Sequence, residues 1–112
     1  MRRLLKSCIQ TFSRMKILKV DGESMSPTLN AGDYVVCKNI KPRSIRPGLI
    51  YIINHSDLGR IIKRVHIAED GQYMLSGDHP SSTPSAVMGP IKKERIVQRA
   101  LFVISKSGLK KL

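Results

Sequence analysis

Apolar positions along this chain fall into short runs with a period of two, separated by turn-forming residues. Met15, Ile17, Leu18 and Val20 predict a strand over residues 15–20 that runs into a turn at Gly22. Asn30-Ala31-Gly32 marks a second turn, and residues 33–38 read as the next strand. Residues 39–48, with Pro42 and Pro47-Gly48, read as a loop. Strands follow at 49–54 and 60–68 around a turn at 55–59, and Glu69-Asp70-Gly71 is a hairpin signal ahead of a strand at 72–75. Residues 77–90 hold three prolines and two glycines and predict a long ordered loop, a kind of segment that commonly carries function. Residues 94–104 return to strand character, and 105–112 read as a basic tail. At the other end, Leu4, Leu5, Cys8, Ile9 and Phe12 recur at helical spacing, which predicts a short basic helix or arm over residues 1–14.

The pattern describes a mostly-β single domain of about six short strands over residues 15–104, flanked by the two basic segments. A chain of 112 residues can bury one core, and an apolar share of 41% is that of a folded protein.

Charge adds a second theme. The formal net charge is +12, which favours contact with an anionic surface. Residues 1–19 carry Arg2, Arg3, Lys6, Arg14, Lys16 and Lys19 with no acidic residue, and the tail adds Lys106, Lys110 and Lys111. Aromatics amount to 4%, with no Trp, which weakens any function based on stacking bases. Cys8 and Cys37 match no metal or redox spacing and read as free thiols, which fits a reducing compartment. No apolar run approaches the ~20 residues of a membrane span. Leu4-Leu5 and Cys8-Ile9 are interrupted by Lys6, Ser7 and Gln10, so neither a signal peptide nor an anchor is expected. The expected location is cytoplasmic or peripheral to a membrane.

Two stretches carry chemistry. Gly22-Glu23-Ser24-Met25-Ser26-Pro27-Thr28-Leu29 puts Ser24 in a short turn broken by glycine and proline. Met25 supplies an apolar plug just after the serine, and Leu29 leads back into the core. The second stretch is Ile61-Ile62-Lys63-Arg64-Val65. On an alternating strand Ile61, Lys63, Val65 and Ile67 share one face, so Lys63 points the way three β-branched residues point. If that face is the core, its ammonium is desolvated and its pKa falls. A neutral amine can then take a proton from a serine hydroxyl. Arg64 cannot serve, because a guanidinium does not deprotonate. Read alone, Lys63 also fits a strand edge with its ammonium in water, and Ser24 alone is an ordinary turn serine.

The whole string is more specific. Ser24-Met25-Ser26-Pro27-Thr28-Leu29 with Gly32-Asp33 resembles the nucleophile box of type I signal peptidases, members of the S24/S26 group of Ser/Lys peptidases that also includes the self-cleaving SOS repressors. Ile62-Lys63-Arg64-Val65 resembles the lysine box, and Gly77-Asp78 with its loop resembles the last box. Pro47-Gly48 and residues 49–54 resemble the strand between them, and the whole likeness spans residues 18–104 in family order. The resemblance implies coiled antiparallel sheets, with Ser24 as acylating nucleophile and Lys63 as general base. The Ser24 backbone N–H would donate to the oxyanion. Gly22 stands where many relatives place a second donor hydroxyl, Asp78 would support the lysine region, and Thr83 could supply the hydroxyl that orients the lysine. The last box departs from Gly-Asp-Asn, reading Gly77-Asp78-His79, with Thr83 and Ser85 near the places of the family's later serine and aspartate, so the later acidic residue is absent. The size is similar to short soluble relatives that trim metalloenzyme precursors such as nickel superoxide dismutase.

The implied function is an endopeptidase that cleaves a precursor or signal peptide after small residues. An extended substrate would pair with an edge near residues 18–22, with Val20, Asp21 and Met25 as substrate-binding residues. No cofactor is expected, and the expected partner is a peptide or precursor protein. The rival is a non-catalytic basic β module that binds nucleic acid or an anionic membrane; it accounts for the charge and leaves the Ser24 string unexplained. A self-cleaving repressor would need an Ala-Gly or Cys-Gly bond in an upstream linker, and none stands before Ser24. His55, His66 and His79 show no spacing that favours a Ser-His-Asp triad or a zinc site.

Overall fold

The computed structural model describes residues 15–84 and 88–112. The expected helix or arm over residues 1–14, with Cys8, and Ser85 of the long loop lie outside the described residues. Seven strands form in chain order: β1 (Met15–Lys19), β2 (Tyr34–Asn39), β3 (Ile50–His55), β4 (Gly59–Ile67), β5 (Tyr73–Ser76), β6 (Ile96–Ser105) and β7 (Gly108–Lys111). Single 3-10 turns occupy Pro42–Ser44 and Lys93–Arg95. Among the described residues no helix is long and apolar enough to cross a membrane.

The strands make one antiparallel sheet in the order β1-β2-β6-β3-β4-β5, with β7 added to β6. β3 explains why the sheet has a core on both faces. Ile50, Tyr51, Ile52 and Ile53 are all buried, and alternation sends them to opposite sides. Ile50 and Ile52 join Val20, Met25, Leu29, Val35, Cys37, Ala100 and Val103 in one cluster. Tyr51 and Ile53 join Val65, Leu75 and Ile96 in the other. A continuous apolar run on a strand means burial on both faces, and β3 is such a run.

The mostly-β single domain expected from the pattern is what the structure contains, with one addition. Residues 108–111, read as tail, form β7 on β6 in the register Phe102↔Lys111 to Ser105↔Gly108. β6 is long enough that β3 pairs only its first half, from Ile96 to Arg99, so its far end still has free backbone groups to offer. All four residues of β7 are exposed, so it has no apolar alternation by which a sequence could reveal it. Register shifts at Val36/Cys37 and Ile52/Ile53 bend the ladders on both sides of β6.

Candidate active site

The turn that carries Ser24 closes the β1–β2 hairpin. Val20 N–H donates to the Asp33 carbonyl at 2.7 Å and Gly32 N–H to the Val20 carbonyl at 2.9 Å, so residues 21–31 leave and rejoin the sheet at one point. Inside this loop Leu29 N–H donates to the Met25 carbonyl at 2.9 Å, a single helical turn that points both side chains inward. Met25 is 1% exposed and Leu29 is fully buried. Full burial of two such side chains stabilises the turn by roughly 1.5–3 kcal/mol each. Hydrogen bonds brace its outer side. The Ser26 hydroxyl donates to Asn30 Oδ1 at 2.8 Å, and Asn30 N–H donates to Asp33 Oδ2 at 2.9 Å. Ser24 is therefore the residue next to a core anchor, on a loop tied down at both ends.

Lys63 is held by β4. Its Cα partner on β3 is Tyr51, a fully buried residue. Ile61 and Val65, on the same face, pack in the second cluster. Lys63 is only 7% exposed, and no carboxylate among the described residues pairs with it. Burial alone pushes its ammonium pKa down from the ordinary lysine value.

Both residues line a cleft of about 410 Å³. Leu18, Lys19, Val20 and Asp21 form one wall, Arg60 to Lys63 another, and Ser24, Ile52, Leu58, Thr83 and Met88 complete it. Both strand walls have free backbone edges. β1 ends the sheet, and β5 pairs β4 only from Arg64 onward, which leaves the outer edge of Gly59 to Lys63 without a ladder partner among the described strands.

Of the residues singled out from sequence, Ser24, Lys63, Thr83, Val20 and Asp21 line this cleft. Met25 does not; it lies in the first core cluster, beneath the turn. Gly22 takes a φ of +77°, a conformation that suits glycine at the start of the turn, and it is not part of the lining. Asp78 lies outside the cleft lining as well and works from behind it.

Asp78 ties three segments together. Its carboxylate accepts from Arg64 Nε at 2.9 Å, from Arg64 Nη2 at 2.7 Å and from the Thr28 hydroxyl at 2.6 Å. Arg64 Nη1 also donates to the Gly48 carbonyl at 2.6 Å. The Arg64 guanidinium, aided by Thr28, holds the Asp78 carboxyl below the usual carboxylate range against the opposing effect of burial. One residue earlier in the same loop, Gly77 passes so close to the serine turn that an added Cβ would fall within contact of the Ser24 carbonyl oxygen and the Ser82 hydroxyl. His79 N–H then donates to that Ser24 carbonyl at 2.9 Å.

Arg64, Thr28 and Gly77 are the site residues that pattern reading missed in these roles. Arg64 was legible only as the wrong side chain for a base; its partner lies fourteen positions away and belongs to a loop. The histidines are spent locally. His79 Nδ1 contacts the Ser81 hydroxyl at 2.6 Å, His66 Nε2 contacts the Ser76 hydroxyl at 2.6 Å, and His55 Nδ1 accepts from two backbone N–H groups. None of the three lines the Ser24 cleft.

A family model described as Peptidase S24-like matches residues 2–98. No curated protein matches the chain.

Proposed function

The chain belongs to the Peptidase S24-like family, whose members are serine peptidases, and from that premise we propose that it is an endopeptidase using Ser24 and Lys63 as a catalytic dyad. The observation that carries this function is one cleft lined by both residues, with the lysine 7% exposed and without a carboxylate partner among the described residues.

The chemistry follows from the charge state that burial favours. Lys63 enters as a neutral amine and accepts the proton of Ser24 as Oγ attacks the scissile carbonyl carbon. The Ser24 N–H is a donor for the resulting oxyanion. The Lys63 ammonium returns its proton to the leaving amine, and the acyl group stays on Ser24 as an ester. A water molecule then attacks the ester and gives its proton to Lys63, which passes it to Ser24 Oγ as the ester bond breaks, so that the new carboxyl end leaves and the hydroxyl and neutral amine are restored. Thr83, on the same cleft, is a hydroxyl available to orient the lysine.

The free edges at Leu18 to Asp21 and at Arg60 to Lys63 suit an extended peptide lying between them, its backbone pairing with strand edges and its side chains entering the cleft. The likeness to signal-peptidase boxes adds the expectation of small residues before the scissile bond and of a precursor or signal peptide as substrate.

The test is mass spectrometry of a diverse peptide mixture incubated with the wild type, Ser24→Ala and Lys63→Met. Cleavage by the wild type alone, after small residues, supports the dyad. Substantial turnover by either variant removes it. No cleavage by any of the three would favour a binding role on a peptidase scaffold.

A further inference from the structure

A second groove, of about 480 Å³, shares no lining residue with the Ser24 cleft. Lys38, Lys41, Arg43, Arg46 and Arg99 line it, and no carboxylate does. None of these five enters a salt bridge among the described residues, where the ion pair present is Arg64–Asp78. Lys38 and Arg99 are Cα partners across β2 and β6, a placement of like charges that destabilises a sheet unless something offsets it. Arg99, which lines the groove, also has a buried Nε with no hydrogen-bond acceptor among the described residues.

The cations stand on a braced frame. Pro42–Ser44 is a 3-10 turn closed by Ser44 N–H to the Lys41 carbonyl at 2.8 Å. Arg46 N–H donates to the hydroxyl of buried Tyr51 at 2.8 Å, and Ile45 packs on the second core cluster. Their backbone is fixed before any ligand arrives, which reduces the ordering needed on binding.

We propose that this groove binds phosphate groups, carried either by a free phosphorylated molecule or by a phospholipid headgroup. Guanidinium groups match phosphate oxygens with paired hydrogen bonds, and lysines add compact charge. The groove has no aromatic lining, so a stacked nucleobase is not what it recognises.

The competing explanation is the overall charge of +12, which attracts any anion. Two double variants of the full chain separate the two. Arg43→Gln/Arg46→Gln removes two charges from the groove; Lys92→Gln/Lys93→Gln removes two exposed charges outside it. Each is titrated with inorganic pyrophosphate by calorimetry and sedimented with vesicles of phosphatidylglycerol and phosphatidylcholine. Circular dichroism melts check that both variants fold. Saturable pyrophosphate binding that the groove variant weakens by ~10-fold or more, with the control within ~2-fold, establishes the site for a free ligand. The same split on phosphatidylglycerol vesicles, without pyrophosphate binding, establishes it for a headgroup. Equal losses in the two variants, or no binding of either probe by the wild type, overturn the proposal. Neither readout depends on peptidase activity.

Discussion

The Asp78 carboxylate takes two hydrogen bonds from Arg64, at 2.9 and 2.7 Å, and the arginine is the chain neighbour of Lys63. Because Asp78 also accepts from Thr28, four residues after Ser24, one carboxylate fixes the lysine strand and the serine turn against each other. The proposed Ser24–Lys63 dyad depends on such fixing, since small displacements weaken proton transfer sharply.

Asp78→Asn should destabilise the fold by about 1–3 kcal/mol and lower peptidase activity by more than its stability loss explains. The sign of the pH effect follows from the depressed carboxyl pKa. The stabilisation is complete above the ordinary carboxylate range and is lost as pH falls through the lower folded value. Chemical denaturation from pH 7 to pH 3 should therefore show a smaller acid loss in the variant than in the wild type.

Lys63→Met should abolish cleavage yet melt at the same temperature as the wild type or higher at neutral pH. The folded lysine has a lowered pKa, so the unfolded chain binds its proton more readily. Wild-type stability should rise with pH between the folded value and the ordinary lysine value, and this component should vanish in the variant. Wild-type activity should rise with pH as the amine becomes neutral; a flat rate from pH 5 to pH 10 would sink Lys63 as the base.

Gly77→Ala tests the close approach of the last loop to Ser24. The added methyl meets the Ser24 carbonyl oxygen, which is backbone and cannot swing aside as a side chain can. A loss of roughly 1–3 kcal/mol is expected, with a fall in kcat as the serine turn shifts. Wild-type values for both would show that the loop yields freely.

Met25→Ala separates a core role from a substrate-binding one. At 1% exposure beneath the turn, its truncation should lower stability by roughly 2–5 kcal/mol. Cleavage-site preference, read by mass spectrometry well below the melting temperature, should stay as in the wild type. A changed preference at unchanged stability would return Met25 to the substrate.

The S24/S26 likeness and the mostly-β fold were legible in the sequence because both rest on local features. Alternating apolar residues at 60–68, glycine and proline punctuation, and the Ser24 and Lys63 strings each declare themselves within a few positions. What the sequence left open was everything that depends on separate segments meeting. Lys63 read alone fitted an exposed edge as well as a buried one, and pairing with Tyr51 on a doubly buried β3 decided for burial. β7 forms because β6 outruns β3 and leaves backbone groups unpaired, a condition that exists only once the sheet is assembled. Likewise, Asp78 finds Arg64 and Thr28, and five cations find one groove, through tertiary contact. Periodicity fixes which way a side chain points on its own strand; only the packed sheet determines what stands opposite it.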